Sequence, residues 1–196
     1  PLGRIGIAFC PGSPEIVYAS AVGPEGGIFR SQDGGNTWER RNREIQSHWF
    51  YGELVCDPVN PDRLYVPMTP LYVSEDGGRT FRNLVTTRVH VDHHTLWVNP
   101  RDPDHLMVGN DGGIYISRDR GQHWTWQSNV PVMQLYTVAV DMQEPFYHVY
   151  GGTQDNGSWG GPVGTRFSDG VSNEDWIYTA GGDGFHSQVD PRDQDI

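Results

Sequence analysis

Ser31-Gln32-Asp33-Gly34-Gly35-Asn36-Thr37-Trp38 is an eight-residue phrase that the chain states three times. It returns as Ser74-Glu75-Asp76-Gly77-Gly78-Arg79-Thr80-Phe81 and as Ser117-Arg118-Asp119-Arg120-Gly121-Gln122-His123-Trp124, each time after a step of 43 residues. Self-similarity at a period of roughly 40–45 residues marks a repeat fold, commonly propeller blades of four strands each. The phrase also reads as a turn. Its Asp side chain can accept from backbone N–H groups just downstream, its glycines allow positive φ, and its closing Trp or Phe packs as the next strand starts.

A second phrase precedes each turn. Phe9-Cys10-Pro11-Gly12-Ser13-Pro14-Glu15-Ile16-Val17-Tyr18 matches Cys56-Asp57-Pro58-Val59-Asn60-Pro61-Asp62-Arg63-Leu64-Tyr65, and again Val98-Asn99-Pro100-Arg101-Asp102-Pro103-Asp104-His105-Leu106-Met107. Proline is barred from a central ladder, so each copy reads as strand, turn, strand. Four strands per repeat follow, labelled A to D. In the third repeat they fall at about 94–98, 106–108, 113–117 and 123–127. A fourth repeat starts at Leu135 and lacks the Asp phrase; 157–175 reads as an elaborated Gly-rich loop. Residues 184–193 read as strand A and the A–B turn of a fifth.

The expected fold is therefore all-β: a β-propeller of four-stranded antiparallel blades, about four blades plus the start of a fifth. Residues 1–196 form one segment, with blades at about 4–41, 49–85, 92–129 and 134–178 and the fifth beginning over 184–196. A propeller closes only when its last blade meets its first, so the count reads as a segment of a larger propeller.

Composition agrees. Twenty-five glycines, fourteen prolines and 12% aromatics suit short strands joined by tight turns. A net charge of −11 argues against nucleic acid or an anionic membrane as partner. Nothing approaches the ~18 apolar residues of a membrane span. The chain opens in strand-like Arg4-Ile5-Gly6-Ile7-Ala8-Phe9 with no signal peptide, so targeting signals leave the compartment open. Cys10 and Cys56 are the only cysteines and could pair. They occupy non-equivalent places, one residue out of step in their repeats, which favours two unpaired buried thiols over a disulfide.

The three phrases resemble the Asp-box, the bacterial neuraminidase repeat Ser-x-Asp-x-Gly-x-Thr-Trp, with Phe81 for Trp in the second and His123 for Thr in the third. Tyr147-His148-Val149-Tyr150-Gly151-Gly152-Thr153-Gln154-Asp155-Asn156-Gly157 and Val108-Gly109-Asn110-Asp111-Gly112-Gly113 look like exported bacterial proteins with sortilin-type repeats. The resemblance implies an extracytoplasmic propeller: secreted, periplasmic or at the cell surface. Such proteins include sialidases, xyloglucanase-type glycoside hydrolases, sortilin-type receptors and assembly factors, so fold does not choose the function. It also implies a structural role for Ser31, Asp33, Gly35, Trp38, Ser74, Asp76, Gly78, Phe81, Ser117, Asp119, Gly121 and Trp124.

Alternating strand direction puts A–B and C–D turns on one face and B–C loops and D–A links on the other. The second face collects His90-Val91-Asp92-His93-His94 and His48-Trp49-Phe50-Tyr51 from the links, and Glu25, Asn110-Asp111-Gly112 and Gln154-Asp155-Asn156 from the loops. Asp183 and His186 precede or open the fifth repeat. In an extended segment His90, Asp92 and His94 would share one side. Imidazole and carboxylate together suit Zn²⁺ or a carboxylate-held general base, with a further ligand such as Asp111 or Asp155 needed to complete a metal site. Hydrogen-bonded histidines shaping a loop are the alternative. No cofactor is otherwise expected.

Asp111 and Asp155 are the candidate acids should the chain be a hydrolase; ordinary Asp-Gly turn chemistry is the alternative for each. His90, Asp92, His94, Trp49, Gln154, Asp183 and His186 are the candidate binding residues. Trp49, Trp126 and Trp159 could stack on sugar rings or pack between blades. The sequence favours a non-catalytic binding or scaffold segment offering this face to a glycan or peptide, or meeting the other blades of its parent protein. A glycoside hydrolase is the alternative. A sialidase would need an arginine cluster and a Phe-Arg-Ile-Pro phrase, which are missing, and the usual strand-A signature of a xyloglucanase is not evident.

Overall fold

The structure, a computed structural model, describes residues 3–46, 52–85, 88–130 and 133–193. It divides into two compact units, Pro1–Val130 and Pro131–Ile196.

Unit 1 holds three antiparallel sheets, each four strands in chain order. The first blade is β1 (Ile5–Cys10), β2 (Ser13–Ala21), β3 (Gly27–Ser31) and β4 (Glu39–Asn42). The second is β5 (Val55–Cys56), β6 (Leu64–Pro67), β7 (Leu71–Ser74) and β8 (Arg82–Asn83); the third is β9 (His93–Val98), β10 (Leu106–Asn110), β11 (Gly113–Ser117) and β12 (Thr125–Trp126). Unit 2 is one further blade of the same order, β13 (Thr137–Val140), β14 (His148–Gly152), β15 (Ser158–Pro162) and β16 (Ile177–Ala180). The chain is thus built from β-propeller blades. Among the described residues no helix is long and apolar enough to cross a membrane.

Strand alternation explains how the blades of unit 1 stack. Successive side chains point to opposite faces of a sheet, so β6 sends Leu64 and Val66 into one apolar cluster and Tyr65 into another. Leu64 and Val66 join Ala8, Cys10, Tyr18 and Ile28 of the first blade. Tyr65 joins Leu96, Val98, Leu106 and Val108 of the third. All of β6 is buried, as a middle strand with a blade on each side must be.

Three details differ from the sequence reading. Cys10 and Cys56 form a disulfide between β1 and β5, with Cα atoms 5.1 Å apart, so the expectation of free thiols is corrected. The register of β1 shifts between Phe9 and Cys10, a bulge that breaks the simple equivalence of the two positions. In the fourth repeat, 158–162 is strand β15 rather than loop; the irregular segment is the stretch between β15 and β16, which includes a single 3₁₀ turn, Asn173–Asp175. Over 184–193 no strand forms, although Asp190 and Asp193 bridge as the expected turn.

Candidate functional site

The repeated turns spend their carboxylates locally. In the first blade Asp33 accepts from Ser31 Oγ (2.7 Å), Thr37 N–H (2.8 Å) and Thr37 Oγ1 (2.6 Å), while Gly35 N–H donates to Ser31 Oγ (2.8 Å). Asp76 repeats this with Ser74, Thr80 N–H and Thr80 Oγ1, and Gly78 N–H repeats the bond to Ser74. In the third blade His123 stands where threonine stood, and its Nδ1 takes the hydroxyl's place, 2.6 Å from Asp119 Oδ2. Ser117 and Gly121 complete the set, and Trp38 and Trp124 each donate Nε1–H to the glycine carbonyl of their own turn.

These bonds hold the carboxyl pKa values at about 2. For Asp33 the Thr37 hydroxyl leads, and for Asp119 the His123 N–H. For Asp76 burial pushes upward most strongly, but the combined bonds from Thr80, Ser74 and Arg79 outweigh it. Each turn also ties to the A–B end of its blade, through Gly34 N–H to Glu15 O near the start of β2, and through Gly77 N–H to Asp62 O and Arg120 N–H to Asp104 O in the A–B turns. The A–B and C–D turns therefore share one end of each of these blades.

At the opposite end of unit 1, the link into the third blade is stitched to two B–C loops. Asp92 N–H donates to Thr69 O (3.1 Å) and His93 N–H to Met68 O (2.9 Å), both in the second blade. Asn110 Nδ2–H donates to His90 O (2.8 Å) and lies 3.4 Å from His93 Nδ1. Gly112 is required here, because a Cβ on it would lie 2.4 Å from His90 Cβ.

His94 Nε2 meets Asp111 Oδ1 at 2.7 Å, with the His94 side chain 51% exposed and that of Asp111 22%. This pair is the chemical centre of the face. His93 is buried, and burial lowers its pKa to about 4, so it is neutral at pH 7. Asp92 adopts φ 59°, which ends the extended alternation on which a shared side for His90, Asp92 and His94 depends. His90 Nδ1 lies 3.1 Å from the Val91 carbonyl. Among the described residues no three His, Cys, Asp or Glu side chains are grouped to hold a metal ion.

Glu53 was not singled out by sequence. Its carboxyl accepts from Thr95 Oγ1 (3.3 Å), and burial pushes its pKa up. An isolated Glu in a link carries no sequence signal of that kind. Glu25 is exposed and paired with Arg40 at 2.8 Å. Trp126 is largely exposed and donates Nε1–H to Gly112 O (3.0 Å), flanking the Asp111 loop. Trp49 lies outside the described residues.

Unit 2 builds its own B–C loop in the same manner. Gly157 N–H donates to Gly182 O and Gly184 N–H to Thr153 O, which clamps 153–157 against 182–184. Asp155, at φ 62°, donates its N–H to Asp183 Oδ1 (2.9 Å), and Gln154 Oε1 accepts from Tyr136 OH (2.5 Å). Tyr136 stacks on Phe185, and Thr137 Oγ1 bonds the Phe185 carbonyl. Trp159 packs edge-on to Tyr178 and bonds Asn156 O, and His186 is exposed. The sequence-predicted residues thus fall into two sets: His90, Asp92, His94 and Asp111 around the third blade, and Gln154, Asp155, Asp183 and His186 in unit 2.

Repeated four-stranded blades, closed by Asp turns and bearing a polar link-and-loop end, define this class of protein as a β-propeller segment. The family model of Sortilin-Vps10, described as sortilin, neurotensin receptor 3, matches residues 26–154. The chain belongs to that family. It is 28% identical over 158 residues to the oligoxyloglucan-reducing end-specific xyloglucanase of Emericella nidulans, covering 67% of this chain and 18% of that protein. Among solved structures it resembles a GH74 enzyme from Niastella koreensis (TM-score 0.57, 18% identity, 81% of this chain and 28% of that one). It also resembles the GH74 xyloglucanase of Xanthomonas campestris (TM-score 0.53, 17% identity, 96% of this chain and 33% of that one). The chain spans about a third or less of each of these relatives.

Proposed function

We propose that this chain is a non-catalytic binding or scaffold segment of an exported β-propeller protein, presenting a glycan- or peptide-binding face at its B–C and D–A end. The observation that supports this most is the His94–Asp111 pair at 2.7 Å. Glycoside hydrolysis asks for two carboxyl groups roughly 5–10 Å apart across a cleft; Asp111 is paired with the His94 imidazole. An exposed imidazole held by a carboxylate, with the exposed Trp126 bonded to the same loop at Gly112 O, offers donors, an acceptor and a stacking surface. These suit recognition of a sugar or peptide and need no cofactor. The Cys10–Cys56 disulfide supports an extracytoplasmic location, where such bonds persist. Ile5, Ile7 and Phe9, exposed at alternate positions of β1, suit packing against further blades of a parent protein.

A glycoside hydrolase, xyloglucanase-type or sialidase-like, is the second reading, with Asp111 and Asp155 as its acids. The xyloglucanase relative favours it, as does Glu53, whose raised pKa suits a general acid. The test is binding and turnover of xyloglucan oligosaccharides and a chromogenic glycoside panel by wild type, His94→Ala, Asp111→Asn and Glu53→Gln. Binding without turnover, lost in His94→Ala and Asp111→Asn, is the expected result. Turnover abolished by Asp111→Asn or Glu53→Gln would replace it with the hydrolase.

A further inference from the structure

The two blade junctions of unit 1 are built differently at their Asp-turn end. At the first, Arg41 of β4 has its side chain almost wholly buried and reaches the next blade's turn. Its Nε–H donates to Gly77 O (3.0 Å) and its Nη2–H to Asp76 O (3.3 Å). A cation from one blade thus plugs the groove against the backbone oxygens of the next.

The residue one repeat later, 43 positions on, is Leu84. It lies against the following turn, where a Cβ on Gly121 would come within 2.8 Å of its side chain. It has no guanidinium to reach across. Beside it opens a cleft of about 490 Å³, lined by Arg63, Glu75, Arg82, Asn83, Leu84, Arg120, Gly121, Gln122 and His123.

This cleft is lined by charged side chains rather than filled by one. Three guanidinium groups and the Glu75 carboxylate line it, and two further carboxylates, Asp104 and Asp119, bond to the lining Arg120 and His123. Arg63 is buried and fixed, with Nε–H on Tyr65 OH (2.7 Å) and Nη1–H on Glu75 Oε1 (2.5 Å). Arg82 is more than half exposed and reaches the same oxygen only at 3.5 Å. Arg120 bonds Asp104 through Nε at 2.6 Å, and His123 is committed to Asp119. Where the first junction is filled by a buried guanidinium, the second presents two partly exposed ones, Arg82 and Arg120, each with N–H groups beyond its carboxylate contact. A ligand filling it would bring the oxygen anion.

We propose that this cleft is a binding site for an acidic peptide segment, with a side-chain carboxylate seated between Arg82 and Arg120. Arginine's planar fork suits a carboxylate bidentately. A peptide is favoured over an acidic sugar because, among the described residues, no Trp, Tyr or Phe lines the cleft as a stacking platform. Asn83 and Gln122 instead offer amides to a backbone, and β8 is the outer edge of its sheet, the place at which an extended chain adds to a sheet. The site is at the opposite end of its blades from His94 and Asp111 and does not depend on their role.

The test is calorimetric titration of the whole chain with acetyl-Gly-Glu-Glu-Gly-amide, its Gln-for-Glu isostere and trigalacturonate. The acidic peptide is expected to bind saturably and its isostere at least about tenfold more weakly, the size of a lost charged hydrogen bond. Arg82→Gln and Arg120→Asn, both at surface-accessible positions, should each weaken the acidic peptide about tenfold with circular dichroism unchanged. Leu84→Arg, which restores the plug of the first junction, should block binding. Absence of saturable binding, or binding untouched by Arg82→Gln and Arg120→Asn, overturns the site. Trigalacturonate binding more tightly than the peptide overturns the choice of ligand.

Discussion

The disulfide between the first two blades lends itself to a quantitative test. Cys10 and Cys56 are 46 residues apart, so the bond closes a loop spanning most of blade one and the link to blade two. Loop-closure entropy for that length stabilises the fold by about 4 kcal/mol, acting mainly on the unfolded chain. Both sulfurs sit in the apolar cluster with Tyr18, Ile28, Leu64 and Val66. Replacing both by alanine therefore removes the cross-link without leaving an odd thiol, and adds a small packing loss. For a chain of this size the expected fall in Tm is roughly 10 °C. Scanning calorimetry of wild type and the Cys10→Ala/Cys56→Ala double variant reads it, and wild type with reductant should move toward the variant. Alkylation of the unfolded protein supplies the chemical control: no adduct without reductant, two with it. Two adducts without reductant, or identical melting of wild type and variant, would refute the reasoning.

The Ser turns should be structural in proportion to their bonds. Ser74→Ala removes a buried hydroxyl that serves both Asp76 and Gly78 N–H and should cost about 1–3 kcal/mol in urea unfolding. In the third turn His123→Thr should match wild type, since a threonine hydroxyl fills the same role in the other two, while His123→Ala should be less stable than either. Asp33, Asp76 and Asp119, with folded pKa values at about 2 against an ordinary 3.8, contribute stability that is present above pH 4. It should be lost as pH falls from about 4 toward 2, seen as a falling urea midpoint. Gly112→Ala should displace His90 and disturb the His94–Asp111 loop, read as shifted histidine resonances in NMR spectra.

Much of the fold was legible because its signals are local and repeated. Ser, Asp, Gly and Thr satisfy one another within a single turn, so each phrase announces its own geometry. The third turn even tolerates Arg120 at φ 57° where Gly34 and Gly77 stand in the others. The end on which His90, Asp92, His94 and Asp111 gather followed from strand parity alone. Their partners did not. Asp92 at φ 59° interrupts the alternation that would have aligned His90 with His94. Glu53 acquires its raised pKa from burial that no neighbouring residue in sequence reveals.

The sequence by itself determined the four-stranded antiparallel blades, the order of strands within each and the chemistry of the Asp turns. The Asp-turn contacts recur every 43 residues in the first three blades and are made by residues a few positions apart. Only the tertiary structure decided that Cys10 bonds Cys56, that His94 takes Asp111, and that a cleft lined by Arg82 and Arg120 opens beside Leu84, where Arg41 fills the first junction. Those outcomes depend on a bulge in β1, on the positive φ of Asp92 at the entrance to β9, and on one blade's edge meeting the next blade's turn. The physical reason is that period and parity specify faces, whereas pairing across a face is set by distances of a few ångströms that only packed blades define.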